Sequence, residues 1–315
     1  MVFAAGQTCF RVRVSDNNGM TLKERLDIYE KLMRLDKPIG ILLVLWPTLW
    51  AMWMTSYGTP NVGVAAIFII GTVLMRSAGC IVNDVADRSF DAHVERTKDR
   101  PLAANRIAPQ EALLVAAALS VLAFVLVCQL NLLTIKLSVV ALLLAVIYPY
   151  LKRFFWLPQA WLGIAFGFGI PMVFAAYHNN VVPIAWTMLL ANVFWSIAYD
   201  TEYAMVDRDD DMKLGLKSSA ILFGRFDVIG VMVCQALFLL IMTYVGYWAK
   251  FGVFYFAGLV IAACLAAYQY RLIRERQRER CFKAFLNNGL LGAAVFGGVV
   301  ADFLMRIAIF DGPVI

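Results

Sequence analysis

The sequence predicts an all-α fold, a polytopic transmembrane helical bundle of about nine helices. Three observations predict it. The 315 residues are 62% hydrophobic and only 16% charged, well above the ~45–50% apolar content of soluble domains. Nine apolar runs approach the ~20 residues that a helix needs to cross a bilayer. Of the 28 Lys and Arg residues, 24 fall in alternate segments between those runs, and this kind of asymmetry orients membrane proteins.

Residues 1–20 carry Arg11 and Arg13 without a long apolar core, so they do not read as a secretory signal peptide. Asp16 and the short length argue against a mitochondrial transit segment, and this start is expected to be disordered. Residues 21–315 form a single membrane domain. Thr21 to Asp36 alternates Leu22, Leu26, Tyr29, Met33 and Leu35 with charges, as an amphipathic helix lying in the bilayer interface does. The apolar runs follow at 38–57, 62–82, 111–130, 132–151, 160–177, 181–200, 228–248, 251–270 and 285–306. Gly58-Thr59-Pro60-Asn61, His178-Asn179-Asn180 and Ala249-Lys250-Phe251-Gly252 are short turns on one side. Gly163, Gly167, Gly169 and Pro171 interrupt the fifth run, which reads as close helix packing with a kink or, alternatively, as a kink lining a substrate.

The basic residues sort by side. Seven precede the first run (Arg11, Arg13, Lys23, Arg25, Lys31, Arg34 and Lys37). Five follow the second (Arg88, Arg96, Lys98, Arg100 and Arg106). Lys152 and Arg153 follow the fourth, four more follow the sixth, and six lie between Arg271 and Lys283. On the opposite side only Lys250 lies clearly in a loop. The N-terminus is therefore expected in the cytoplasm and the C-terminus in the periplasm, in a bacterial cell inner membrane rather than a mitochondrial one.

Two acidic stretches follow the second and sixth runs, on the same side. If the helix continues, Asp84, Asp87 and Asp91 fall at i, i+3 and i+7 on one face. Asp200, Tyr203, Asp207 and Asp211 fall at i, i+3, i+7 and i+11 on another, with Asp209 and Asp210 turned to solvent. Charges at bilayer depth cost ~2.5–3.5 kcal/mol each, so such faces are tolerable around a wet cavity that opens on the cytosol and holds cations. Oxygen-only ligands suit Mg²⁺, which takes one or two carboxylates plus substrate phosphates. Asp84, Asp87, Asp91, Asp207 and Asp211 are the expected metal set, and Asn83 beside them helps orient the ion. Two such faces could clamp a pyrophosphate through bridging Mg²⁺. Arg34, Arg76, Lys98, Arg100, Lys152 and Arg153 lie on the correct side to add donors. Arg76 is the sharpest case, because it sits within the second run. Arg88, Arg96, Arg208 and Lys213 read at least as well as topology signals.

At these residues the sequence resembles a known family. Asn83-Asp84-x-x-Asp87-x-x-x-Asp91 and Asp200-x-x-Tyr203-Ala204-x-x-Asp207-x-x-x-Asp211 look like the two signatures of the UbiA-type intramembrane prenyltransferases. The likeness runs from about Leu26 to the last apolar run. It includes Arg34-Leu35-Asp36-Lys37-Pro38, Arg100-Pro101-Leu102, Tyr148-Pro149-Tyr150-Leu151-Lys152-Arg153 and Lys217-Ser218. The resemblance, strongest to bacterial members of ubiquinone synthesis, implies transfer of a polyprenyl group from polyprenyl diphosphate to 4-hydroxybenzoate. It also implies that the acidic positions hold Mg²⁺-diphosphate and that Tyr148 and Lys152 lie near it. Arg153 is expected to grip the acceptor carboxylate with its planar fork, and Asp200 to polarise or deprotonate the phenol. Asp84, Asp87 and Asp207 join Asp200 as the catalytic set, with Tyr203 among the substrate-binding residues. Trp46, Phe166, Phe168 and Phe174 would shield an allylic cation. Other ubiquinone-pathway enzymes are candidate partners besides the lipid bilayer.

Competing classes are weighed on the same residues. A CDP-alcohol phosphotransferase also uses clustered aspartates, but on one continuous motif with interleaved glycines. A cation transporter should carry its acids in mid-span. Another aromatic acceptor, such as homogentisate, stays open. His93 and His178 are the only histidines, which argues against His-based metal sites and triads. The six cysteines show no metal or redox spacing. Arg274 to Arg280 is strongly basic, but a loop between two spans is a poor platform for nucleic acid, and none is expected. Attraction to anionic lipid, ~1 kcal/mol per basic residue, suits it better.

Overall fold

The computed structural model describes residues 20–151 and 153–310. Among these residues the protein is an all-helical bundle. An amphipathic helix, α1 (Leu22–Leu32), precedes α2 (Ile39–Thr55), α3 (Val62–Ala86), a short α4 (Arg88–Asp91), α5 (Pro109–Val127) and α6 (Leu132–Leu151). Two half-helices follow, α7 (Pro158–Gly167) and α8 (Gly169–His178). The rest are α9 (Pro183–Leu214), a short α10 (Ser219–Phe223), α11 (Asp227–Trp248), α12 (Val253–Ile273) and α13 (Arg278–Phe310). Seven segments are long and apolar enough to cross a membrane by themselves; α2 is apolar but has 17 residues. The expected disorder of residues 1–20 falls, apart from Met20, outside the described residues.

Local sequence explains the boundaries. Thr21 and Glu24 close a capping box on α1, which satisfies two otherwise orphaned amides. Asn61 caps α3 by accepting from the Val64 amide at 3.1 Å. Pro109, Pro158 and Pro183 stand in the first turn of α5, α7 and α9, where the missing N–H costs nothing. Gly215 ends α9 at φ 68°, a left-handed conformation that glycine adopts without strain.

Side-chain contacts identify the two ends of the bundle. At one end Asn61 N–H donates to the Tyr177 hydroxyl at 3.0 Å, and Asn131 Nδ2 to the Ala175 carbonyl at 2.6 Å. At the other, Arg208 and Arg276 both pair with Asp227, at 3.1 and 2.7 Å, and Arg278 pairs with Asp209 at 3.2 Å. The core runs through α2, α8, α9 and α11–α13, where Trp50, Trp195, Tyr199 and Phe238 stack near its centre. Outside, Leu114, Val125, Leu143 and Leu240 are exposed. Helices apolar on both inner and outer faces are those of a membrane bundle.

Three features differ from the sequence expectations. First, α3 does not continue through its acidic stretch. It ends at Ala86, with Asp87 as the C-cap at ψ 3°, and α4 starts anew at Arg88. The single face expected for Asp84, Asp87 and Asp91 is therefore broken. Second, α9 runs unbroken past Asp200 to Leu214, so the second stretch keeps its helical face. Third, Asp209 and Asp210 are not simply solvated; both pair with Arg278 because α13 begins at that residue. The break in the fifth run falls at Phe168, between α7 and α8. Gly163 lets α7 approach α9, since a Cβ there would sit 2.7 Å from the Val193 Cα.

Candidate active site

A cavity of about 1350 Å³ opens among α2, α3, α5, α6, α7 and α9. Its deeper wall is apolar, with Phe68, Val121, Phe124, Val127, Leu142 and Phe168. Its mouth collects the acidic residues, at the end of the bundle where α3 and α9 carry them.

The first acidic group is drawn together by two arginines. Asp84 is buried on the last turn of α3 and accepts from Arg34 Nη2 at 2.7 and 2.9 Å. Arg100 Nη1 donates to Asp84 at 3.1 Å and to Asp91 at 2.7 Å. One guanidinium thus bridges the two sides of the helix break and restores the cluster that the break would scatter. Burial pushes the Asp91 carboxyl above the ordinary carboxylate range, although Arg100 pulls it down. Asn83 and Asp87 line the same mouth. Arg34 adopts φ 58°, a left-handed conformation costing ~1–2 kcal/mol for an L-residue, and its pair with Asp84 offsets that cost.

The loop carrying Arg100 is itself held in place. Thr97 Oγ1 donates to the Asp91 carbonyl at 2.9 Å, and Arg88 Nε to the Leu102 carbonyl at 3.3 Å. Leu102 is buried in a cluster with Ile28, Leu32, Ile81 and Ala112. The interface helix is tied on by Tyr29, whose hydroxyl donates to Glu111 at 2.5 Å, and by Arg25, 2.8 Å from the same carboxylate.

The second acidic group is held from across the mouth. Arg96 Nε donates to both Asp207 oxygens at 3.0 Å, and its other nitrogens meet Asp207 and the Tyr203 hydroxyl. The guanidinium carbon lies 4.4 Å from the Tyr203 ring centroid, within cation–π range. Asp200, Tyr203, Asp211 and Tyr148 line the cavity with them. In the sequence Arg96 reads at least as well as a topology signal; its one visible sign of a site role is a position five residues after Asp91 and four before Arg100.

Three other basic residues depart from expectation. Arg76 lines the cavity, but no ion pair joins it to either acidic stretch among the described residues. Its Nε donates to the Gly40 carbonyl at 3.1 Å, another nitrogen meets the Cys80 thiol, and the group lies 5.4 Å from the Phe166 ring centroid. Gly40 admits it, since a Cβ there would stand 2.5 Å from Arg76 Nη2. Lys98 is half-exposed, pairs with Glu95 at 2.7 Å and does not line the cavity. Arg153 also lies off the lining. Its Nη2 donates at 2.8 Å to the Ala86 carbonyl, which the end of α3 leaves without a helical partner. Its plane rests near Phe90 and Tyr150. One nitrogen of the fork expected for a substrate carboxylate thus meets the helix break. Lys152 lies outside the described residues.

Among the described residues, no three His, Cys, Asp or Glu side chains stand close enough to hold an ion by themselves. The acids are instead split between two sides and faced with guanidiniums, an arrangement that an anionic ligand could bridge.

The sequence matches the model of the UbiA prenyltransferase family over residues 44–292. It is 60% identical over 287 residues to the 4-hydroxybenzoate octaprenyltransferase of Thiobacillus denitrificans, covering 91% of this chain and 98% of that one. It is 62% identical over 286 residues to the protein of the same name from an Azoarcus species, covering 91% and 100%. Among solved structures, the apo form of a UbiA homolog from Aeropyrum pernix K1 superposes with a TM-score of 0.73 at 23% identity, over 84% of this chain and 97% of that one. A UbiA homolog from Archaeoglobus fulgidus bound to GPP and Mg²⁺ gives 0.65 at 17% identity, over 87% and 99%.

Proposed function

Because the chain belongs to the UbiA prenyltransferase family, we propose that it transfers a polyprenyl group from an allylic polyprenyl diphosphate to 4-hydroxybenzoate in ubiquinone biosynthesis. The new bond forms at the ring carbon ortho to the hydroxyl, and diphosphate is released. One observation supports this above the others. Two acidic groups, one gripped by Arg34 and Arg100 and the other by Arg96, share the mouth of a cavity whose depth is apolar. That is the shape of an amphiphile with an anionic head and an isoprenoid tail. The relatives' names carry an octaprenyl donor, and eight isoprene units is the length proposed here.

The donor set fits a hard divalent ion. It offers oxygen ligands only and no complete protein cage, as Mg²⁺ prefers when substrate phosphates finish its shell. Asp84, Asp87 and Asp91 on one side, with Asp207 and Asp211 on the other, would hold it. Bound there, Mg²⁺ supplies Lewis-acid neutralisation of charge on the leaving diphosphate.

The side chains do the rest. Arg34, Arg96 and Arg100 pass from carboxylates to diphosphate oxygens, where fixed donors stabilise charge as it develops. The allylic C–O bond breaks, its electron pair leaves with the diphosphate, and positive charge spreads over the allyl unit. Phe166 and Phe168 in the lining exclude water and face that charge with π-electrons. Asp200 accepts the phenol hydrogen bond and raises electron density at the ortho carbon. That carbon attacks, and transfer of its ring proton to the released diphosphate restores aromaticity. Arg76, beside Phe166, holds the floor of the mouth. The cavity faces the cytoplasm of a bacterial inner membrane, with the N-terminus inside and the C-terminus outside.

The test is a prenylation assay of membranes carrying the full chain, with radiolabelled 4-hydroxybenzoate, Mg²⁺ and allylic diphosphates of graded length. Formation of 3-polyprenyl-4-hydroxybenzoate is expected. No product with any donor would refute the proposal.

A further inference from the structure

The proposed roles leave one edge of the cavity unused. Lys217 and Ser218 both line it, between α9 and α10. Ser218 is 4% exposed. It occupies the N-cap of α10 but makes no capping hydrogen bond. Its hydroxyl is shut from solvent and, among the described residues, meets no hydrogen-bond partner, a state that native folds seldom keep without compensation.

Its neighbours are satisfied, and they locate it. Ser219 N–H donates to Gln159 Oε1 at 3.0 Å. The Ser219 hydroxyl lies 2.6 Å from Thr201 Oγ1, and Thr201 directly follows Asp200. Lys217 Nζ donates to the Phe154 carbonyl at 3.0 Å and stands 4.4 Å from the Trp156 ring centroid. Ser218 therefore lies between the helix turn that carries Asp200 and an ammonium held by the 153–157 loop. An aromatic acid is an anion at one end and a phenol at the other. With the phenol on Asp200, its carboxylate needs a donor and a positive charge on an adjoining wall of the cavity.

We infer that the Ser218 hydroxyl donates a hydrogen bond to the carboxylate of the aromatic acceptor and that Lys217 supplies the positive charge beside it. This rests on the proposed function, and it assigns the recognition expected of Arg153 to a different edge of the cavity. Arg153 acts on the helix break instead.

Steady-state kinetics of the full chain in phospholipid vesicles tests the inference. The acceptor is 4-hydroxybenzoate, and its uncharged amide serves as a competing ligand. Ser218→Ala should raise KM for 4-hydroxybenzoate by ~10-fold or more, the scale of one hydrogen bond to a charged group. KM for the diphosphate should stay within about two-fold of wild type, and Ser218→Thr should restore most of the loss. Lys217→Met should weaken the acid about ten-fold more than it weakens the amide, since only the acid carries the charge that Lys217 meets. Equal changes in both substrate KM values, or an unchanged acceptor KM in inserted protein, would overturn the inference. If Ser218→Ala fails to insert, the acid-to-amide ratio in Lys217→Met decides alone, and an unchanged ratio rejects it. Wild-type vesicles inert toward 4-hydroxybenzoate would defeat the parent proposal as well. Active wild type with indifferent variants would defeat this inference only.

Discussion

Asp84→Asn separates a catalytic carboxylate from a structural one. Asp84 is 1% exposed at its side chain and receives two guanidiniums, from Arg34 and Arg100. The amide keeps its shape and loses the charge. Removing one partner of a buried pair costs ~3–5 kcal/mol. Arg100 keeps Asp91, so the lower end, about 3 kcal/mol, is expected here. Turnover should fall by about 100-fold or more, because a charge leaves the group that holds the departing diphosphate. Arg34→Gln in the same chain removes the stranded cation and should return ~1.5–3 kcal/mol of the lost stability. It cannot return the missing carboxylate. The assay pairs thermal denaturation of detergent-solubilised protein with prenylation at saturating substrates. A double variant that regains both stability and near-wild-type turnover would refute the reasoning and leave Asp84 as an anchor for Arg34.

Three further outcomes are expected. Exhaustive chelation should abolish turnover and Mg²⁺ should restore it; activity that survives chelation would remove the metal from the site. Arg153→Ala should release the Ala86 carbonyl and loosen the turn that carries Asp87, so kcat and the diphosphate KM should suffer more than the acceptor KM. A selective rise in the acceptor KM would return Arg153 to the carboxylate. A phosphatase fused at the C-terminus should be active in the periplasm of a bacterial host, whereas activity of a cytoplasmic reporter there would take one crossing from the bundle.

The bundle was readable from the chain because its two signals are strong and local. Apolar runs of bilayer length need little tertiary context, and a proline at the start or a glycine at the end marks several of their limits. The acidic spacing on α9 also survived, since nothing in Asp200 to Leu214 opposes helix. The first acidic stretch did not survive in the same way. Its helix stops at Ala86 without a glycine or proline to announce it, and what rejoins Asp84 with Asp91 is Arg100, on a loop folded over α1 and α5. Arg96 was hidden for the same reason. A basic residue on the positive side of a membrane looks alike whether it serves topology or reaches 111 positions along the chain to Asp207. Arg153 shows the converse: chemistry suits it to a carboxylate, but the backbone carbonyl that it meets at 2.8 Å is exposed only by the folded helix break.

The length of α9 has a consequence for kinetics. Its 32 residues span ~48 Å at 1.5 Å per residue, against ~30 Å of hydrocarbon. If α9 enters the hydrocarbon at its first turn, its last turns, with Asp207 and Asp211, stand clear of the acyl chains while the apolar wall of the cavity stays among them. A polyprenyl diphosphate dissolved in the leaflet already straddles that same boundary. It meets the enzyme by diffusing in two dimensions and need never enter bulk water. The quantity that sets saturation is then its mole fraction among lipids, so inert phospholipid dilutes this substrate even when its molar concentration is unchanged. 4-Hydroxybenzoate arrives from solution and obeys ordinary molarity. Under the proposed function, one enzyme would thus work with two different measures of concentration, one for each substrate.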